Sequence, residues 1–278
     1  MLINDQFIFL QLQKTGGTHM ELLIGENFPN TLKGGKHFRL SKNFDIKNRN
    51  ILGAIRNPWE WYLSYWTYSC MNKGGPHYQC CKKKSLLKFF TNGRKFNCNK
   101  EVAYSFYDFI NCTKAELCRP INEWKYLYED ATDPKRFREW LKLVLSNERR
   151  FDLFQDYGIS KISQVSGIYT YLFLFLYAEN INDLFNKSMT LEELYNININ
   201  INGVVKTENL NEDFIRILNI LKIPYDKRLI KNIENIMKTN TSNRKHPISK
   251  YYDEASVNLV AEKESYLIKQ FDYKFNAE

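Results

Sequence analysis

The chain has 278 residues, of which 44% are hydrophobic and 26% are charged, and its formal net charge is +9. This balance excludes wholesale disorder, and the positive excess favours an anionic partner: a nucleotide, an acidic glycan, nucleic acid or a membrane surface. The first residues lack the basic start and apolar length of a secretory signal. The longest apolar run, at 168–178, is shorter than the roughly 20 residues of a membrane helix. We therefore expect a soluble, cytoplasmic protein with no membrane partner.

The first part of the chain alternates between strand and helix patterns. A buried strand over 7–13 leads into the turn Lys-Thr-Gly-Gly-Thr at 14–18, and an amphipathic helix follows. A second strand, over 50–55, ends at Arg56, and the Asn-Pro pair after it is typical of a helix start. This order predicts an α/β domain with a parallel sheet.

The rest of the chain is mainly helical by pattern, and we predict a single domain over 1–278. Residues 70–160 are less regular and match no motif, so they are interpreted as a largely irregular or helical insertion that forms a lid and the acceptor side. The later predicted elements are helices over 134–150 and 163–178, a strand over 201–206, a helix capped by Asn209 or Asn211, and helices over 226–238 and 254–270.

All six cysteines lie between residues 70 and 118. Reduced thiols are the expectation in a cytoplasmic protein, although the clustering leaves disulfides or zinc open. His77, Cys80 and Cys81 lie close together in sequence, but the Cys-x2-Cys pairs that are typical of a zinc site are absent. We predict no metal site.

The turn at 14–18 has the residue types that bind an oxyanion. Backbone N–H groups at a helix start have no partner within the helix, and the helix dipole adds partial positive charge. Gly16 and Gly17 let a phosphate approach the backbone, while Lys14 adds a charge and Thr15 and Thr18 add hydroxyl donors. The lysine precedes the glycines, so the Walker A pattern is not met. The alternative is an ordinary strand-to-helix turn with a solvated lysine.

Two segments resemble motifs of the sulfotransferase family that uses 3′-phosphoadenosine 5′-phosphosulfate (PAPS). The segment "LQLQKTGGT" resembles the 5′-phosphosulfate loop, with Gln13 where proline is usual. The segment "ILGAIRNPWEWYLSYW" resembles the 3′-phosphate motif, and Arg56, Pro58 and Ser64 match it one by one. More weakly, 204–223 and 240–275 resemble the late strand and the C-terminal segment of carbohydrate-directed and of bacterial or viral members.

The resemblance implies a three-layer P-loop-like fold, with a central, mostly parallel sheet flanked by helices. It implies transfer of a sulfuryl group from PAPS, a nucleotide donor, to an acceptor hydroxyl on a carbohydrate, with no metal required. Lys14 would neutralise the leaving phosphate as a catalytic residue. The implied nucleotide-binding residues are Lys14, Thr15, Gly16, Gly17 and Thr18 at the 5′ end, Arg56 and Ser64 at the 3′-phosphate, and Arg244 as a further candidate.

A general base should remove the proton of the acceptor. His37 has the chain position of the family's histidine base, between the two phosphate motifs, and it is the predicted base. Glu26 and Asp45 are carboxylate rivals. His19 lies within the helix of the loop, where a structural role is expected.

Two other classes of function fit parts of the sequence. A P-loop kinase or NTPase would need magnesium ligands and a nucleoside triphosphate. A non-catalytic basic protein could bind an acidic glycan or another anion. Nothing resembles a nucleic-acid-binding motif, so no nucleic-acid partner is expected. No feature of the sequence indicates a particular oligomeric state.

Overall fold

One five-stranded sheet, with strand order β3-β1-β2-β4-β5, organises the N-terminal part of the chain. A computed structural model describes residues 1–82, 106–185, 189–235 and 246–276. The strands are β1 Leu2–Ile3, β2 Phe7–Leu10, β3 Leu32–Lys33, β4 Asn50–Ile55 and β5 Gly203–Lys206.

The sheet is mixed. β4 pairs in parallel with both β2 and β5, whereas β1 pairs antiparallel with both β2 and β3. All four residues of β2 and all but the first of β4 are buried, as is typical of parallel strands covered on both faces. The expectation of a mostly parallel sheet is therefore met only in the β2–β4–β5 core, because two-residue strands add an antiparallel edge.

Helices make up most of the remaining described chain. In chain order they are α1 Gly17–Asn27, α2 Pro58–Cys70, α3 Gly74–Cys81, α4 Phe106–Leu117, α5 Ile121–Leu127, α6 Pro134–Val144, α7 Arg150–Leu153, α8 Gln155–Ile159, α9 Ile162–Val165, α10 Ile168–Tyr177, α11 Leu191–Tyr195, α12 Leu210–Ile220, α13 Arg228–Asn235, α14 Ile248–Tyr251, α15 Glu254–Lys263 and α16 Ser265–Phe271. Short 3₁₀ turns cover Ile181–Leu184 and Thr207–Asn209. Within the described ranges, none of these helices has both the length and the apolar character needed to cross a bilayer.

Most predicted elements are confirmed with shorter bounds. The strand over 50–55 and the helix start at Pro58 are found as predicted. The first strand ends at Leu10 rather than at residue 13, because the next residues belong to the loop before α1. Asn209 is the N-cap residue of α12, but its side chain makes no capping hydrogen bond.

The chain divides into two compact units. The first comprises Met1–Asn57, Phe175–Glu179 and Asn198–Thr241, and it contains the sheet with α1, α12 and α13. The second comprises Pro58–Leu174, Asn180–Ile197 and Ser242–Glu278, and it is helical in its described part. The prediction of one domain with an insertion at 70–160 stays a prediction.

The core of the first unit lies between the sheet and the helices α1, α12 and α13. Phe7 on β2 makes edge contacts with Phe28 and Phe214, with ring centroids 5.0 and 6.2 Å apart. These aromatic side chains are at most 4% exposed. Burial of this apolar face fixes the helices that follow β2 and β5 against the sheet.

The core of the second unit is aromatic. Trp61 on α2 stacks between Tyr65 and Tyr169, with ring centroids 4.5 and 4.2 Å apart. The Trp66 indole N–H donates to the Leu127 carbonyl at 2.9 Å. Trp59, Trp61 and Trp66 are at most 3% exposed and belong to this core.

Gly53 on β4 gives the first unit a testable packing constraint. A Cβ at this position would lie 2.0 Å from the hydroxyl oxygen of Tyr177, which donates to the Leu10 carbonyl at 3.1 Å. Gly53→Ala should therefore lower the free energy of unfolding by about 1–3 kcal/mol, the usual cost of overpacking. Urea denaturation measures this value.

Gly25→Ala is the matched control, because Gly25 lies within α1 and a Cβ there would meet nothing within 4 Å. This variant should be neutral, or more stable by up to about 1 kcal/mol from helix propensity. Equal stability of Gly53→Ala and the wild type would contradict the described contact with Tyr177.

Candidate functional site

The loop between β2 and α1 is a tight turn in which two residues have a positive φ angle. Lys14 has φ 61° and Gly16 has φ 75°, so both lie in the left-handed region. That region strains a residue with a Cβ, and such strain in a non-glycine residue is typical of functional turns. The Thr15 hydroxyl donates to the Leu12 carbonyl at 3.0 Å and Thr15 is fully buried. Thr15 therefore stabilises the turn from inside, rather than offering its proton to a ligand.

The two glycines let the helix start pack closely. A Cβ on Gly16 would lie 3.3 Å from the Leu210 side chain, in addition to the strain of its positive φ. Gly17 begins α1, and its carbonyl accepts a hydrogen bond from the Gln11 side chain at 3.0 Å. Thr18 is exposed in the first turn of α1. The backbone of residues 16–18 is thus the start of an 11-residue helix whose N–H groups can bind an anion.

Lys14 and Arg56 lie at the same edge of the sheet. Leu10 of β2 pairs with Gly53 of β4, and the two cationic residues follow these partners by four and three positions. Since the strands are parallel, their carboxyl ends meet at one edge, where ligands of open α/β sheets bind. Burial, together with the nearby Arg56 guanidinium as the smaller cause, lowers the pKa of Lys14 to about 8. The two predicted phosphate-binding cations are therefore electrostatically coupled.

The third parallel strand ends at this edge as well. β5 ends at Lys206, and the Thr207 hydroxyl donates to the Ile55 carbonyl at 2.8 Å. The Glu208 carboxylate accepts from the Asn57 backbone N–H at 2.7 Å. Lys206 and Thr207 were not predicted from the sequence as site residues. Their position at the end of a parallel strand, with Lys206 as its last residue and Thr207 directly after it, is the signal that could identify them.

His37 forms a hydrogen bond with the loop that leads from β2 to α1. Its Nδ1 lies 2.8 Å from the Gln11 carbonyl oxygen, which can only accept, so Nδ1–H donates and Nε2 carries the lone pair. The residue is exposed as a whole, but this hydrogen bond is partly buried. Burial lowers the pKa of His37, and the positive charges of Lys36 and Lys14 lower it further. A lowered pKa keeps the ring neutral, and therefore able to accept a proton, at pH 7.

The segment that carries His37 is anchored to α1 by an ionic cluster. Glu21 on α1 pairs with Lys33 at 3.0 Å and with Lys36 at 2.6 Å. These lysines hold the pKa of Glu21 at about 2, so the carboxylate is ionised at neutral pH. The cluster holds the backbone immediately before His37.

His19 and the rival carboxylates Glu26 and Asp45 have structural or exposed positions. His19 Nε2 forms a hydrogen bond of 2.7 Å with the Asn211 side chain, which confirms its structural role. Asp45 accepts from the Lys47 backbone N–H at 3.0 Å within a turn, and Glu26 is exposed on α1.

Not all predicted site residues belong to the first unit. Ser64 lies on α2 in the second unit and is 8% exposed. Arg244 lies outside the described residues. The residues that the first unit contains are Lys14, Thr15, Gly16, Gly17, Thr18, His37 and Arg56.

The cysteines that the structure describes are free thiols. They are Cys70, Cys80, Cys81, Cys112 and Cys118. In the described ranges, no three or more His, Cys, Asp and Glu side chains gather as a metal site would require.

The electrostatic state of Lys14 gives a stability prediction. The folded protein holds this proton less tightly than the unfolded chain, since the pKa falls from 10.5 to about 8. The protonated Lys14 lowers the free energy of unfolding, and this effect is fully present below pH 8. The effect disappears as the pH rises towards 10.5. Lys14→Met should therefore melt at a higher temperature than the wild type at pH 7, and the difference should shrink at about pH 10.

Thermal unfolding at both pH values measures the effect, and Lys42→Met, at an exposed lysine, is the control. The control should not reproduce the gain at pH 7. A Lys14→Met variant that is less stable than the wild type at both pH values would contradict the burial of an unfavourable charge.

Comparison with protein-family models, with curated proteins and with solved structures gives no match. The function must therefore be inferred from the residues and the geometry of this chain.

Proposed function

We propose that the protein transfers a sulfuryl group from PAPS to an acceptor hydroxyl on a carbohydrate. The observation that carries the proposal is the coupling of Lys14 and Arg56 at the carboxyl ends of two adjacent parallel strands. The resemblance of both segments to phosphate motifs of sulfotransferases supports it. The three-layer P-loop-like architecture is part of the same proposal, supported by the β2–loop–α1 arrangement and the parallel core.

Two cations at neighbouring strand ends suit a ligand with two anionic ends. Burial is the main cause of the lowered pKa of Lys14, and the positive charge of Arg56 is the second. PAPS carries a phosphosulfate at its 5′ end and a phosphate at its 3′ position, so one molecule could neutralise both side chains. The guanidinium offers a planar fork for the 3′-phosphate, whereas the ammonium is a point charge for the 5′ end. The N–H groups that begin α1 add donors beside Lys14.

The transfer step can be written with this chain's own groups. The Nε2 of His37 accepts the proton of the acceptor hydroxyl, and the acceptor oxygen forms a bond to sulfur. The bond between sulfur and the bridging phosphate oxygen breaks, and the electron pair stays on that oxygen. Lys14 and the amides of the loop stabilise this developing charge, as preorganised donors do elsewhere. The products are the sulfated acceptor and adenosine 3′,5′-bisphosphate.

The proposal also includes the acceptor and the cellular location. The carbohydrate is supported by the resemblance of the C-terminal segment to carbohydrate-directed members. A cytoplasmic location is part of the proposal because five cysteines are free thiols, as is usual in a reducing compartment.

Loss of Lys14 should reduce sulfuryl transfer. Lys14→Ala should lower the transfer of label from radiolabelled PAPS to acceptors in a cell extract by at least about tenfold, since loss of an oxyanion donor typically costs about 10²–10³ in rate. Lys42→Ala, a loss of the same charge at an exposed site, should transfer label as the wild type does.

A panel of donors separates this proposal from a P-loop kinase. The wild type should bind PAPS and adenosine 3′,5′-bisphosphate more tightly than ATP. Tighter binding of ATP, or equal transfer by wild type and Lys14→Ala, would contradict the proposed role of Lys14.

The pH dependence of kcat/KM should be bell-shaped, because this ratio reports the free enzyme. The lowered pKa of His37 places the acid limb below pH 6.5, and deprotonation of Lys14 places the alkaline limb near pH 8. His37→Gln should remove the acid limb and lower the maximum. An acid limb that persists in His37→Gln would assign the base to another residue.

A further inference from the structure

The five-residue segment that directly follows β5 contacts both candidate phosphate-binding segments of the first unit. We call Thr207–Asn211 the brace. Thr207 and Glu208 bond to the end of β4, at Ile55 and Asn57. Leu210 and Asn211 contact the other segment, at Gly16 and His19.

The first half of the brace holds the peptide groups on both sides of Arg56. The Thr207 hydroxyl donates to the Ile55 carbonyl, which belongs to the peptide before Arg56, at 2.8 Å. The Glu208 carboxylate accepts from the Asn57 N–H, which belongs to the peptide after Arg56, at 2.7 Å. A hydrogen bond to a carboxylate is stronger than one between neutral groups. Because both neighbouring peptides are fixed, the direction in which the Arg56 side chain leaves the backbone is fixed as well.

The second half of the brace holds the loop that carries Lys14. The Leu210 side chain packs against Gly16, where an added Cβ would lie 3.3 Å away. The Asn211 side chain bonds to His19 in the first turn of α1 at 2.7 Å. A short 3₁₀ turn and the start of α12 form this segment, and Phe214 of α12 is buried in the core.

We propose that the brace sets the spacing between the Lys14 subsite and the Arg56 subsite, with Glu208 as the positioning residue for Arg56. The inference rests on the proposed function in one respect, since it takes Arg56 as the contact for the 3′-phosphate. A fixed spacing favours a ligand that carries two anionic groups at one separation over a ligand with a single phosphate. Glu208 would act on the Arg56 subsite through its hydrogen bond to the backbone at Asn57.

Glu208→Ala removes the acceptor for the Asn57 N–H and tests the proposal. Titration calorimetry should show adenosine 3′,5′-bisphosphate bound about tenfold more weakly, from loss of a charge-assisted hydrogen bond. Binding of adenosine 5′-phosphate should change less than about twofold, because its phosphate contacts only the Lys14 subsite. Glu208→Gln keeps an acceptor oxygen and should recover most of the binding.

Glu212→Ala is the matched control, since Glu212 is exposed on α12 and its loss changes the charge equally. It should affect neither nucleotide. Equal weakening of both nucleotides in Glu208→Ala, a similar loss in Glu212→Ala, or no loss at all would overturn the positioning role.

Hydrogen exchange separates failure of the brace from failure of the proposed function. In the ligand-free protein, the Asn57 amide should exchange faster in Glu208→Ala than in the wild type or in Glu212→Ala. If the wild type binds neither nucleotide, the proposed function fails, while faster exchange at Asn57 still supports the brace. Unchanged exchange would overturn the brace whatever the ligand.

Discussion

The burial of Lys14 close to Arg56 is the constraint on which the proposed site depends. Both side chains follow parallel strands that are direct neighbours, and burial together with the guanidinium lowers the pKa of the ammonium to about 8. Desolvation and like charge at such a position both oppose folding. Sites that bind or react commonly carry such a cost in stability. An anion that spans the two groups would convert the penalty into binding energy.

The surrounding structure keeps the two cations in place. The pairing of Leu10 with Gly53 fixes the strand ends, and Gly53 makes room for the Tyr177 hydroxyl that bonds to the end of β2. The left-handed conformation at Gly16 turns the chain from β2 into α1. His37 completes the arrangement through its bond to the Gln11 carbonyl, which selects the tautomer with a lone pair on Nε2. Fold and chemistry are thus connected through a few backbone groups near one sheet edge.

The elements that the sequence predicts best are those defined by their own pattern. β4 and the start of α2 follow directly from a buried run and an Asn-Pro pair. β1 and β3 have two residues each, so only pairing with their neighbours defines them, and no periodicity could reveal them. Parallel pairing also explains why Lys14 and Arg56 could be predicted to meet. The contact of Glu208 with Asn57 spans 151 residues, and the inward bond of Thr15 depends on the turn geometry. Neither could be derived from local sequence.

Phosphorus NMR of bound adenosine 3′,5′-bisphosphate tests the central claim most directly, since its two phosphates give separate resonances. With Lys14 at one end of the nucleotide and Arg56 at the other, Lys14→Ala should change the bound shift of the 5′-phosphate, and Arg56→Ala that of the 3′-phosphate. Each variant should leave the other resonance close to its wild-type position. If both substitutions affect the same phosphate, or neither resonance shifts when the nucleotide is added to the wild-type protein, one nucleotide does not bridge the two cations.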